Sequence, residues 1–273
     1  MGRSVADLGF ISPDWVAPPS VRAAFTLRTG GVSAAPYDSL NLGSRIGDSP
    51  EMVAENRRRV REALRLPAEP VWLEQVHGVE VSELPAGSAG LDVPPTADAS
   101  VARDAGVVCA IRVADCMPVL FAALDGSVVG AAHAGWRGLA GGVLEATVAR
   151  LGVPPSQVIA WMGPAIGPRH FEVGEDVRAA FLVAGLHAGG RAGAAVGGRT
   201  TDAVASAFTA NARGRWLCDL YALARLRMEA LGIAAIYGGG WCTFAEADRF
   251  FSYRRNGQCG RMAALVWIQP GRE

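Results

Sequence analysis

Residues 106–135 read GVVCAIRVADCMPVLFAALDGSVVGAAHAG. Two apolar segments are parted by ADCMP, and Asp125 with Gly126 makes a hairpin-type turn into SVVGAAHAG, so the plain reading is strand, turn, strand. Upstream, AAFTLRT (23–29) reads as an early strand and residues 30–50 as a long glycine- and serine-rich loop. Ser49 and Pro50 open a helix whose Met52, Val53, Val60 and Leu64 recur at helical spacing, and PVWLEQVHGVEVSEL (70–84) is mostly extended. Downstream, Val143–Leu151 reads as a helix stopped at Gly152 and Pro154, QVIAWMG (157–163) as a strand and VRAAFLVAGL (177–186) as a helix. Residues 185–201, rich in glycine and alanine, read as a loop. Structure resumes at Trp216, with Leu217, Leu220, Ala224, Met228 and Leu231 on one helical stripe. IAAIYGGGWCTF, RFFSYRR and GRMAALVWI close the chain as strands and turns. Strands outnumber helices and are often sequential. The expected fold class is therefore α/β (α+β), a single domain over 1–273 with a large mixed β-sheet flanked by helices.

Half of the 273 residues are hydrophobic, enough to bury a substantial core. Lys plus Arg and Asp plus Glu both number 26, so no net field draws the chain to nucleic acid or an anionic membrane, and a small-molecule partner is expected. The N-terminus lacks the apolar run of a signal peptide, and no stretch is long enough to span a bilayer. Five cysteines with no C-x-x-C pair do not make a disulfide framework, so a cytoplasmic location is expected.

Three ligand-type residues share one context: His77 in EQVHG, Cys116 in VADCMP and His133 in AAHAGWRG. Each lies at or just after an extended apolar segment and is followed within three residues by Gly or Pro, where folds place reactive side chains. Two imidazoles and a thiolate leave one position open on tetrahedral zinc, the arrangement of a catalytic site. Their spacings of 39 and 17 residues are not a compact metal fingerprint. The same residues admit two other chemistries. Cys116 could be a nucleophile with His133 as its base, or the three could hold copper with Met117 as axial ligand. The copper reading fits poorly, because neighbours on an extended chain point in opposite directions and four histidines cannot build a multicopper centre. His170 and His187 read as loop histidines and Cys109 as a core thiol, while nothing assigns a reaction to Cys218, Cys242 or Cys259.

Six blocks in order carry a resemblance: FTLRTGGVSAAPYDSLNLGSRIGD, LEQVHGVEV, ADCMPVLFA, AAHAGWRGL, WMGPAIGPRHFEVGEDV and CTFAEADRFFSYRRNGQCGRMAALVWI. Together, over residues 25–268, they resemble the YfiH family, also called the laccase-domain or FAMIN-type purine nucleoside phosphorylases. Residues 185–215 lie outside the similarity. The resemblance implies a single domain with a large mixed sheet and a zinc bound at His77, Cys116 and His133. It implies phosphorolysis of adenosine, inosine, guanosine and methylthioadenosine, with adenosine deaminase activity alongside. Purine nucleosides and phosphate are then the partners. The family has also carried a polyphenol oxidase (laccase-like) label, and an editing role on peptidoglycan precursors has been attributed to some members, which a cysteine-type amidase would perform.

Phosphorolysis requires a bound anion, and no P-loop is present, so arginines and backbone amides must supply it. Arg137, together with a helix expected just after HAGWRGLAGG, is the first candidate. Arg28, Asn41, Arg57 and Arg254 are the other expected substrate contacts, since Arg and Asn present paired hydrogen bonds to a purine edge or a phosphate. Deamination needs a carboxylate to shuttle protons, for which Glu172, Glu175 and Asp176 are candidates.

Overall fold

Every residue of Met117–Ala123 is buried, and the side chains divide by parity. Met117, Val119, Phe121 and Ala123 enter one apolar cluster, Leu120 and Ala122 another. The segment Met262–Ile268 divides the same way, with Met262, Ala264, Val266 and Ile268 joining the second cluster and Ala263, Leu265 and Trp267 a third. Strands buried on both faces read as continuous apolar runs, and alternation sends successive residues to opposite layers.

The computed structural model describes residues 8–90, 93–184, 198–233 and 235–271. In chain order its first strands are β1 (Phe10–Ile11), β2 (Val21–Thr26), β3 (Val71–Trp72), β4 (Val81–Glu83), β5 (Ala99–Ala102), β6 (Val108–Val113) and β7 (Met117–Ala123). There follow β8 (Val129–Ala134), β9 (Val158–Met162), β10 (Glu172–Val173), β11 (Phe208–Ala210), β12 (Trp216–Cys218), β13 (Ala235–Gly238) and β14 (Met262–Ile268). The helices are α1 (Pro50–Leu64), α2 (Trp136–Gly141), α3 (Val143–Leu151), α4 (Glu175–Ala184), α5 (Gly198–Ser206), α6 (Leu220–Ala230) and α7 (Tyr253–Asn256).

The mixed β structure with flanking helices is as expected, divided between two large sheets. One runs β1-β2-β14-β6-β3, the other β13-β9-β7-β8-β5-β4, and a three-stranded sheet β10-β12-β11 stands beside them. Both large sheets are mixed: β3 is parallel to β6, and β4 and β13 are parallel to β5 and β9, while the remaining pairs are antiparallel. The second apolar cluster lies between the two sheets, with Ile111 and Val266 from one facing Leu120, Ala131 and Trp161 from the other. Helices α3, α4 and α6 cover the outer face of the six-stranded sheet through the first cluster, and Val60 of α1 joins Leu265 and Trp267 outside the five-stranded one. No helix among the described residues is long and apolar enough to cross a membrane.

Local chemistry moves several boundaries. Of the expected loop 185–201, residues 185–197, with His187, lie outside the described residues, and Gly198 already starts α5. Leu217 lies in β12 rather than on the stripe of α6, because the Asp219 side chain accepts the N–H of Ala222 at 3.0 Å and so caps the helix there. Ser252 caps α7 in the segment read as strand and turn. The helix expected after HAGWRGLAGG is present as α3, Val143–Leu151, and a further short helix, α2, begins inside the block at Trp136. It closes after six residues at Gly142, whose φ of 102° only glycine adopts without strain.

Candidate metal centre and its cleft

Cys116 sits between β6 and β7, and His133 lies on β8, the partner of β7 in the hairpin. His77 comes from the connection between β3 and β4. Their ligand atoms all lie within 4.8 Å of one another, with His77 exposed, Cys116 partly buried and His133 buried. Cys116 Sγ is 3.9 Å from His77 Nε2, and the imidazoles meet edge to face with centroids 4.8 Å apart. The three expected ligands therefore converge as a His, Cys, His set, a donor chemistry that suits zinc with one position left open.

A buried carboxylate organises this group. Asp98 is fully buried at the start of β5, and its Oδ1 lies 2.8 Å from His133 Nδ1. A carboxylate only accepts, so Nδ1 carries the proton and Nε2 is left to bind a metal. The same carboxylate accepts the backbone N–H groups of Val76, His77 and Gly78 at 3.1, 2.9 and 2.6 Å. These bonds hold His77 at a φ of 62°, a conformation that non-glycine residues rarely adopt. Asp115 also has a positive φ, 92°, and is tied down by the hydroxyl of Thr243 at 2.6 Å and the backbone N–H of Arg254 at 2.7 Å. The Cys116 thiol is thus delivered from a turn that other elements clamp.

Charge follows from this packing. Burial pushes the Cys116 thiol up, but the charge of His133 and hydrogen bonds from both imidazoles outweigh it and bring the thiol well below its usual range. Burial pushes the His133 imidazole down, but Cys116 and Asp98 together raise it above its usual range. Both shifts favour a thiolate beside an imidazolium when no metal is bound.

The cluster lines a cleft of about 890 Å³ that also holds Arg45, Arg57, Arg112, Arg137, Arg254 and Arg261. Arg57 lies over the Trp72 ring at 4.3 Å, and its guanidinium is brought down to about 10 by burial, against an opposing pull from Glu69. Arg112 is likewise brought down to about 10, first by burial and then by the charges of Arg57, Arg261 and Arg45. Like charges crowded around the Arg112 guanidinium make a place where a bound anion would be stabilised.

Of the expected substrate contacts, Arg57, Arg137 and Arg254 line the cleft. Arg137 is exposed and packs over Trp136 at 4.5 Å, with no ion pair among the described residues. Arg28 and Asn41 are not brought there. Arg28 binds the carbonyls of Asp38 and Ala247 and the Asp38 carboxylate, while buried Asn41 bonds Gly43, Asp48 and the N–H of Arg261. Both hold the 30–50 loop in place. The candidate proton shuttles are also elsewhere: Glu172 is bound by Asn211 and Arg213, Glu175 by Trp216 and Arg178, and Asp176 sits beside Gly174. Asp98, Arg45, Arg112 and Arg261 were not anticipated. Arg112 left a trace, as a charge inside the apolar run VVCAIRVA. Asp98 left none, since its partners lie about twenty and thirty-five residues away.

A family model described as multi-copper polyphenol oxidoreductase laccase matches residues 22–269. A Pseudomonas aeruginosa protein named purine nucleoside phosphorylase is 52% identical over 261 residues, covering 95% of this chain and 98% of its own. Purine nucleoside phosphorylase YfiH of Escherichia coli is 47% identical over 258 residues, covering 94% and 98%. Among solved structures, a Neisseria meningitidis protein of family DUF152 superposes with a TM-score of 0.84 at 45% identity over 96% of this chain and 99% of its own. YlmD of Geobacillus stearothermophilus gives 0.81 at 32%, over 94% and 96%.

Proposed function

This chain belongs to the laccase-domain family, and from that membership we propose that it is a zinc-dependent purine nucleoside phosphorylase, with His77, Cys116 and His133 as ligands. Adenosine, inosine, guanosine and methylthioadenosine are its proposed substrates, and adenosine deamination is a companion activity. The observation that carries the reading is the meeting, in one cleft, of a His, Cys, His set with an arginine cluster where a bound anion would be stabilised. The names of the relatives support it. Zinc, when bound, would supply Lewis-acid polarisation and activate water for attack at C6 of adenine.

The chain's own residues do the rest. Asp98 keeps His133 in the tautomer that binds metal and fixes the backbone of His77. Arg45, Arg57, Arg112 and Arg261 receive phosphate, whose oxygen attacks C1′ of the ribose as the bond to the purine breaks. Charge-assisted contacts from guanidiniums suit that dianion. The departing purine takes the proton that the hydrogen phosphate gives up, and ribose 1-phosphate and free base are the products, without a covalent enzyme intermediate. Five free cysteines fit a reducing cytoplasm. Copper oxidase chemistry finds little support in the donor set. Met117 is fully buried in the cluster beneath α3 and α6, whereas Cys116 packs against the cluster between the sheets. Met117 therefore faces away from the His77, Cys116 and His133 set.

The test is a product assay with adenosine, with and without phosphate. Adenine and ribose 1-phosphate appearing only with phosphate support phosphorolysis, and inosine appearing in either case supports deamination. Neither product from metal-loaded protein overturns the reading. A second reading, a cysteine-type amidase on a cell-wall precursor, has one observation in its favour, the Cys116 thiol within 4.8 Å of a His133 ring nitrogen. A trapped acyl adduct on Cys116 would support it.

A further inference from the structure

Outside the cleft, a second thiol faces an imidazole. Cys242 Sγ lies 3.4 Å from His170 Nδ1 and accepts the backbone N–H of Gly167 at 3.3 Å. The pair is held from several sides. The His170 ring stacks on Phe244 with centroids 4.7 Å apart, and the backbone N–H of His170 bonds the carbonyl of Gly167 at 3.0 Å. A Cβ on Gly167 would stand 3.1 Å from both Cβ and Sγ of Cys242, so glycine lets the loop close on the thiol. The nearby Glu246 carboxylate is engaged by the backbone N–H of Cys242 and by Arg249.

The remaining cysteines are poor competitors for a small oxidant. Cys109, Cys218 and Cys259 are buried, and burial pushes all three thiols up, the first two to about 12. Cys116 belongs to the metal cluster, where a bound metal withdraws its charge. Cys242 and His170 are both only partly buried. A thiol that combines access with a proton acceptor and an N–H donor has the surroundings of a reactive cysteine.

We propose that Cys242 and His170 form a second reactive site, at which a hydroperoxide oxidises the thiol to a sulfenic acid. The thiol proton passes to His170 Nδ1, and the sulfur attacks one peroxide oxygen. The S–O bond forms as the O–O bond breaks. The other oxygen leaves with the electron pair and takes the proton from His170, departing as water or an alcohol. Sulfur is oxidised by two electrons and the peroxide is reduced by two.

The test treats the full-length, zinc-loaded protein with hydrogen peroxide and traps sulfenic acid with dimedone, followed by peptide mapping. The wild type should carry the adduct on Cys242, and Cys242→Ser should carry none in that peptide. His170→Phe keeps an aromatic ring against Phe244 but removes the proton acceptor, and labelling should slow by about 100-fold, the lower end of what a positioned base contributes. His170→Asn replaces it should the Phe variant fail to fold. No adduct on Cys242 in the wild type, or labelling of the His170 variant at the wild-type rate, overturns the proposal.

Discussion

One buried carboxylate, Asp98, sets the tautomer of His133 that leaves Nε2 free and the strained backbone of His77 together. Asp98→Ala would strand the Nδ1–H of His133 and the N–H groups of three successive residues, at a cost of about 3 kcal/mol in denaturant unfolding. Metal affinity should fall by about 10- to 100-fold, as when other outer partners of ligating histidines are removed. A variant with wild-type stability and full metal content would deny Asp98 this role. The thiol of Cys116 gives a second reading at the same scale. Because its pKa is lowered, to about 6, the thiolate is present above that value and lost as pH falls through it. In metal-stripped protein, alkylation of Cys116 should therefore stay fast from pH 8 down to about 6 and then decline. With zinc bound it should be suppressed throughout, and equal rates in the two forms would reject the ligand role. Cys116→Ala should abolish nucleoside cleavage, while Cys109→Ala should disturb packing only. His77, Cys116 and His133 were legible because each is a ligand-type residue at the end of an apolar run. Asp98 was not, because a lone carboxylate has meaning only through partners that the fold brings to it.

At the scale of elements, the β7–β8 hairpin presents His133 and α2 closes over the site by close backbone approach. A Cβ on Gly138 would lie 2.9 Å from the carbonyl oxygen of Gly78 and 3.2 Å from that of His133, both main-chain atoms that cannot turn aside. Gly138→Ala should push α2 off the metal loop, destabilising by about 1–3 kcal/mol and lowering metal retention. Gly141→Ala meets only the Val79 side chain, at 3.0 Å, and should cost less. Metal analysis and melting of the two variants side by side check this, and an equal effect would mean that the contact with Gly78 does not matter. The hairpin was legible, since apolar runs around Asp125 and Gly126 have few other ways to fold. The start of α6 was not, because helical spacing continues back to Leu217 while the capping side chain of Asp219 decides where the helix begins.

For the whole molecule, zero net charge conceals a local excess: six arginines line the cleft against Glu69, Glu74 and Asp115. The balanced composition predicts no net field to draw a polyanion or a membrane, and it could not show that local excess. Arg45, Arg57, Arg112 and Arg261 are scattered along the chain, and only the packing of α1 against the five-stranded sheet collects them. Most of the four also hold structure: Arg57 binds the carbonyl of Leu42, Arg112 that of Leu73, and Arg261 that of Cys259. Arg45 is the exposed member, paired among the described residues with Glu74 alone, at 2.9 Å, so its removal least disturbs the fold. If these guanidiniums bind the attacking phosphate, Arg45→Ala should raise the KM for phosphate by about tenfold, the loss of one charge-assisted contact. Deamination consumes water rather than phosphate, so inosine formation from adenosine should stay near its wild-type rate in the same variant. Steady-state assays of both products on one preparation make the comparison, and the unchanged reaction controls for folding and metal content. A parallel fall in both activities would place the arginine cluster on the nucleoside instead, and no change in either would remove it from the reaction.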